Sequence, residues 1–259
     1  MKKHHYIIVL LLFPVTIWGQ NKFEQEPFWE ETFNDTIVSK PNQAMWSYII
    51  GMRGSELEYY TDNIENVFVS DGELNIKAIK TNGYGKAVCT SGRIHTKGKV
   101  SFMYGRLDIR AKLPVGKGIW PAFWMMPTTS GVYPYGEIDI MEYIDCWNAQ
   151  KYQANVHVVR KEGGKEIREM NEKSVSVNVA DYHTYSLEWT QEELRFLIDD
   201  RLFHVCSKRN NKLWPFDQPY YLILNVAYGG WGGSCGLDES VFPCSLKVDW
   251  IRYYKLKTE

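Results

Sequence analysis

Arg106-Leu107-Asp108-Ile109-Arg110-Ala111-Lys112-Leu113 alternates charged and apolar side chains without a break. Successive side chains of a strand point to opposite faces, so Leu107, Ile109, Ala111 and Leu113 share one face and Arg106, Asp108, Arg110 and Lys112 the other. This is the pattern of a half-buried strand. Outward along the chain the same period of two recurs at Leu74–Ala78, Val175–Val179, Leu194–Ile198 and Leu246–Trp250. Asp71-Gly72, Asn82-Gly83, Gly163-Gly164 and Asp199-Asp200 mark turns between such runs, and no long stretch carries the apolar stripe of a helix. The expectation is an all-β domain, a sandwich or a barrel.

The charges balance. Lys plus Arg number 30 and Asp plus Glu 31, for a formal net charge of −1, so no basic field is available to neutralise the phosphates of a nucleic acid. Aromatic residues make up 15% of the chain, with 10 Trp and 17 Tyr, more than a core of this size requires. Some of these rings are expected to line a binding surface, and the apolar faces of sugars stack on such rings. Lys2 and Lys3, the apolar run Tyr6–Val15 and the small Gly19 before Gln20 read as a signal peptide over 1–19, leaving one domain over 20–259. The expected product is an exported, periplasmic or extracellular monomer with no transmembrane segment after signal removal. No cysteine follows the apolar run where a lipid anchor would be attached.

Five cysteines, at 89, 146, 206, 235 and 244, form no CxxC pair and no metal-ligand spacing. Cys235 and Cys244 flank a glycine-rich loop closely enough to pair in an oxidising compartment, with free buried thiols an equal account. The loop itself, Tyr228-Gly229-Gly230-Trp231-Gly232-Gly233, lacks the strand-to-helix setting of a phosphate cradle and reads as a tight turn presenting Trp231.

Gly136-Glu137-Ile138-Asp139-Ile140-Met141-Glu142 places three acids among apolar neighbours, where a carboxylate costs free energy unless it is paired or used. On a regular strand Glu137 and Asp139 share a face and Glu142 points to the other. A β-bulge with its extra residue at Ile140 or Met141 restores parity and sets all three acids in one cleft. Two carboxyls roughly 5–5.5 Å apart suit a retaining glycosidase, in which one attacks the anomeric carbon and the other protonates the departing oxygen. Asp139 would then hydrogen-bond the nucleophile and help to keep Glu142 protonated by like-charge repulsion.

The segment Glu137-Ile138-Asp139-Ile140-Met141-Glu142 resembles the signature of family-sixteen glycoside hydrolases of the laminarinase type, with Met141 marking the bulged variant. Further blocks resemble the same family, among them Thr90-Ser91-Gly92-Arg93-Ile94, Gly118-Ile119-Trp120-Pro121-Ala122-Phe123-Trp124-Met125, Leu224-Asn225-Val226-Ala227 and Val248-Asp249-Trp250-Ile251-Arg252. The resemblance implies a concanavalin-like β-jelly-roll sandwich with its catalytic cleft on the concave sheet. It implies Glu137 as nucleophile, Glu142 as acid/base and Asp139 as modulator of the pair. It implies Trp120, Trp124 and Trp231 as stacking platforms, and Asn66, Arg93, His157 and Asn225 as hydrogen-bonding partners of sugar hydroxyls. No cofactor is expected for catalysis. A structural calcium ion on the convex side is implied at carbonyls of Glu31 and Gly72 and the carboxylate of Asp249. Val132-Tyr133-Pro134-Tyr135 and the shortened Tyr228–Trp231 loop depart from the family's common pattern and border the cleft.

The polymer expected from the resemblance is a 1,3-linked or mixed 1,3-1,4-linked β-glucan, cut internally. A galactan hydrolase of the agarase or carrageenase type and a non-catalytic carbohydrate-binding protein are the alternatives. The near-neutral charge speaks against a sulfated galactan, and the three acids together speak against a mere binder.

Overall fold

In the computed structural model, which describes residues 22–35 and 37–257, the expected signal peptide at 1–19 lies outside the described residues. The strands run in chain order β1 (Trp29–Glu31), β2 (Ser47–Tyr48), β3 (Glu58–Tyr60), β4 (Val67–Ser70), β5 (Glu73–Lys80), β6 (Cys89–Ser91), β7 (Arg93–His95), β8 (Gly105–Lys112) and β9 (Ile119–Pro127). They continue with β10 (Tyr135–Glu142), β11 (Lys151–Glu162), β12 (Lys165–Ser176), β13 (His183–Trp189), β14 (Glu193–Ile198), β15 (Arg201–Ser207), β16 (Tyr220–Tyr228) and β17 (Cys244–Tyr254). Helical structure among the described residues is confined to short 3-10 turns, and no helix there is long and apolar enough to cross a membrane.

Two sheets form the jelly-roll sandwich. One has ten strands, ordered β15-β14-β13-β8-β17-β5-β6-β3, with β1 on β17 and β4 on β5; the other has seven, ordered β12-β11-β10-β9-β16-β7-β2. The alternating run at Arg106–Leu113 becomes β8, paired on both sides by β13 and β17. Its Leu107, Ile109 and Ala111 enter the core, as the period of two requires. Asp108 faces away from that core yet is buried, because the Arg106 guanidinium lies 2.7 Å from its carboxylate. The expected strand at Val175–Val179 is split. Ser176 ends β12, and Val177 and Val179 follow as extended chain whose amides donate to the carbonyls of Gln150 and Ala149.

The seven-stranded sheet sets one row of side chains against the core and the next against solvent. Phe123, Met125, Ile138, Leu222 and Leu224 pack inward. The register then aligns Arg93, Asn225, Ala122, Glu142, Gln153 and Ser174 as one row on the outer face, running from β7 to β12. Gly136 allows β10 to lie this close to the chain beneath it, since a Cβ there would sit 2.2 Å from the Phe216 ring and 2.5 Å from the Tyr220 hydroxyl.

The cysteine expectation needs correction. Cys235 pairs with Cys146, 89 residues away, and Cys244 is free along with Cys89 and Cys206. The reason is topological: Cys244 opens β17 opposite Ala78 in the ten-stranded sheet, whereas Cys235 ends the 3-10 turn Gly230–Cys235, beside the turn Asp145–Trp147 that follows β10.

The segments that carry the implied calcium ligands both pair with β17. Glu31 pairs with Ile251 and Leu74, two residues after Gly72, pairs with Val248, so both segments flank Asp249. One carboxylate oxygen of Asp249 lies 2.7 Å from Nη1 of Arg110, so a cation there would share its carboxylate with a guanidinium.

Candidate active site

The three acids lie on β10, whose irregularity is visible from both neighbours. Asp139 to Glu142 is three steps along β10, but the partners Asn155 to Gln153 on β11 and Trp124 to Ala122 on β9 are each two steps apart. One residue is therefore extra. Ile138, Ile140 and Met141 are all buried in the core, and Glu142 returns to the face that holds Glu137 and Asp139. This is the bulge expected from parity. Glu137, Asp139 and Glu142 line one cavity of about 370 Å³ with Arg53, Glu56, Arg93, Trp120, Trp124, Arg168 and Asn225. A second trough of about 740 Å³ continues from Glu137 and Glu142 past His157, Trp147 and Trp231.

The three acids sit in different electrostatic settings. Burial, with the nearby Asp139 and Glu137 adding to it, pushes the Glu142 carboxyl up to about 8. Trp120 donates from Nε1 to Glu142 Oε1 at 3.1 Å, fixing the carboxyl's orientation. Burial likewise holds Asp139 well above the usual carboxylate range, with Glu137 adding to the effect. His157, pushed down mainly by burial, is neutral, and its Nε2 lies 3.0 Å from Asp139 Oδ2. Burial is the leading cause of both shifts. Glu137 stands apart from these two because it has a cation, Nη1 of Arg168 at 3.1 Å from its Oε2. Glu137 is thus paired with a cation, while Glu142 holds its proton up to about 8.

Most residues named for sugar contact converge here. Trp120 and Trp124 face the cavity from β9, and Asn225 from β16 accepts from Trp124 Nε1 at 2.8 Å. The Arg93 guanidinium lies over the Trp124 ring at 4.7 Å, so it is held by an aromatic face rather than by an ion pair. His157 and Trp231 line the second trough.

Asn66 does not belong with them. It is 1% exposed, its Oδ1 accepts from the Thr61 hydroxyl at 2.7 Å, and its amide donates to the Lys77 carbonyl and Thr90 Oγ1. Every polar atom of that side chain is used in tying the segment before β4 to β5 and β6, and none is left for a hydroxyl.

Sequence reasoning missed Arg168, Arg53, Glu56 and Trp147. Arg168 lies on β12, two strands from β10, and it meets Glu137 only because His157 pairs with both Glu137 and Met170. A period of two in Lys165–Ser176 puts Arg168, Met170, Glu172 and Ser174 on one face, but nothing local says which strand that face will overlook.

Comparison with known proteins agrees with this geometry. The family description "Glycosyl hydrolases family 16" matches residues 54–252. The chain is 37% identical to the beta-glucanase of Rhodothermus marinus over 276 aligned residues, covering 98% of this chain and 95% of that protein. The crystal structure of the Rhodothermus marinus laminarinase superposes with a TM-score of 0.81 at 38% identity, covering 91% of this chain and 99% of that one. The non-specific endo-β-1,3(4)-glucanase SCLam superposes with a TM-score of 0.79 at 33% identity, covering 92% of each chain.

Proposed function

This chain belongs to glycosyl hydrolase family 16, and from that premise we propose that it is an endo-acting, retaining β-glucanase that cleaves 1,3-linked or mixed 1,3-1,4-linked β-glucan. The observation that carries the reading is the β10 bulge, which presents a charge-paired Glu137 and a proton-holding Glu142 to one cavity. Glu137 attacks the anomeric carbon as Glu142 gives its proton to the departing glycosidic oxygen, so the C–O bond breaks and a glycosyl ester forms on Glu137. Glu142, now ionised, takes a proton from water, and the resulting oxygen nucleophile displaces Glu137 with the β configuration restored. Asp139, 3.0 Å from His157, lies between the two glutamates and positions the pair.

Trp120, Trp124 and Trp231 serve as platforms for glucosyl rings, and Arg93 and Asn225 meet hydroxyls near the cut. The likeness to the Rhodothermus marinus laminarinase favours laminarin over mixed-linkage glucan as the first substrate to try. Export as a monomer fits the basic and apolar start of the chain and the disulfide Cys146–Cys235, which an oxidising compartment maintains. A calcium ion at Glu31, Gly72 and Asp249 would add stability and no chemistry. Its test is a fall in melting temperature on adding EDTA, and an unchanged one removes the ion from the account.

The deciding experiment compares initial rates on laminarin, barley mixed-linkage glucan, carboxymethylcellulose and agarose. Release from the first two and not the others is expected, and faster release from agarose would overturn the reading. Azide rescue separates the roles of the two glutamates. The β-glycosyl azide should come from Glu142→Gln and the α-glycosyl azide from Glu137→Gln, and swapped products would exchange nucleophile and acid.

A further inference from the structure

An aromatic wall leads away from Glu142. Trp120, which holds the Glu142 carboxyl, meets the Trp231 ring edge-to-face at 5.5 Å, and Trp231 meets Trp147 in the same manner at 6.1 Å. Trp147 lies in the turn Asp145–Trp147 and Trp231 in the turn Gly230–Cys235, two segments far apart in sequence. Each turn is stabilised locally: the Asn148 amide donates to the Asp145 carbonyl, and the Gly233 amide to that of Gly229. Among the described residues no backbone hydrogen bond joins the two turns, and their covalent tie is Cys146–Cys235, adjacent in sequence to Trp147 and four residues beyond Trp231. The Lys151 ammonium, 5.1 Å from the Trp147 ring centre, holds that ring from the start of β11.

The wall opposite is polar. Glu172 and Ser174 of β12, with Gln153 of β11, face Trp147 and Trp231 across the second trough. One aromatic side and one hydrogen-bonding side is the chemistry that recognises a pyranose, whose C–H faces stack on indoles while its rim hydroxyls seek donors and acceptors. We infer that the Cys146–Cys235 disulfide locks Trp147 beside Trp231 as an additional glucosyl-binding platform beyond the catalytic carboxylates, so that the enzyme's preference for longer chains depends on this bond. A glucan long enough to reach the platform gains a stacking contact that a short one lacks. Cutting the bond frees the two turns to separate and removes the gain. Cys235 is exposed, so a reductant in solution reaches it.

The inference rests on the glucanase reading, and the test keeps the two apart. The ratio of kcat/KM on a long 1,3-linked oligosaccharide to that on the shortest one hydrolysed is measured for the wild type, Trp147→Ala, Trp147→Phe and the double variant Cys146→Ser/Cys235→Ser. A single ring contact of this kind is worth about threefold to tenfold. The ratio should fall by that amount in Trp147→Ala and in the double variant and be largely kept in Trp147→Phe. Dithiothreitol should lower it in the unmutated enzyme and reoxidation should restore it, which tests the bond even where a variant fails to fold. A ratio unmoved by Trp147→Ala, or one unmoved by reduction, overturns the inference. A wild type that releases nothing from any β-glucan overturns the function instead.

Discussion

Glu142 and Glu58 are two glutamates of one chain whose protons are held in the same way and put to different ends. Burial pushes Glu142 up to about 8 and Glu58 up to about 9, and neighbouring acids add to the effect at both sites. Glu58 is 0% exposed, with Oε2 accepting from the Tyr228 amide at 2.7 Å and Oε1 facing no partner. Glu142 instead opens onto the cavity, where Trp120 aims it. A high proton affinity therefore marks burial, and chemistry needs in addition a carboxyl that a substrate can reach.

The comparison breaks most sharply by substitution. Glu142→Gln should lower turnover by about 10³-fold or more, and Glu58→Gln should leave it within about twofold, since only the first proton is transferred. Equal losses in hydrolysis assays would dissolve the distinction. Deleting Met141 should turn one glutamate into the likeness of the other. With the extra residue gone, position 142 returns to the buried parity and activity is lost, whereas Met141→Leu retains both bulge and rate. A folded, active deletion, judged by circular dichroism and hydrolysis together, would refute the role of the bulge.

Arg168→Gln tests the remaining partner in the cleft. Losing the guanidinium takes away the ion-pair partner of Glu137 and should lower the rate by about tenfold. Arg168→Lys should recover part of it. The alkaline limb, which follows the proton of Glu142, should stay near 8 throughout.

The smallest effect is on stability. Glu58 keeps its proton in the folded chain up to about 9, whereas an unfolded glutamate loses it near 4.5. Between those values the unfolded state binds fewer protons, so the stability contribution present below 4.5 is lost as pH rises toward 9. Glu58→Gln abolishes that dependence and should stabilise the protein by on the order of 1–3 kcal/mol at pH 7, with no gain at pH 4. Melting curves at the two pH values decide it.

How much of this could be read from the sequence follows from the range of each interaction. The strand at Arg106–Leu113 and the bulge at Glu142 are local, because parity along one strand is written in consecutive residues. The contact of Arg168 with Glu137 depends on two strand pairings in series, and the Cys146–Cys235 bond on two turns that meet in space. Nearness in sequence favoured Cys244 as the partner of Cys235, and strand β17 carries it to the other sheet. Asn66 illustrates the opposite error. A residue read as a partner of sugar hydroxyls is consumed by backbone and hydroxyl partners before a ligand arrives.

Strand β12 has a consequence for the protein in a crowded solution. Its 12 residues border the cleft, and among the described residues it pairs with β11 alone, so its outer edge keeps backbone groups outside the ladder, of which the carbonyls of Asn171 and Ser176 are met by His204 and Arg201. Such an edge is a template on which another chain can add a strand. Lys165, Glu166, Arg168, Glu169, Glu172 and Lys173 stud it with charges of both signs, several of them exposed. A docking strand would have to strip water from these groups without offering each its counter-charge, while a polysaccharide lying across the face leaves them hydrated. The same border can therefore receive sugar and decline protein.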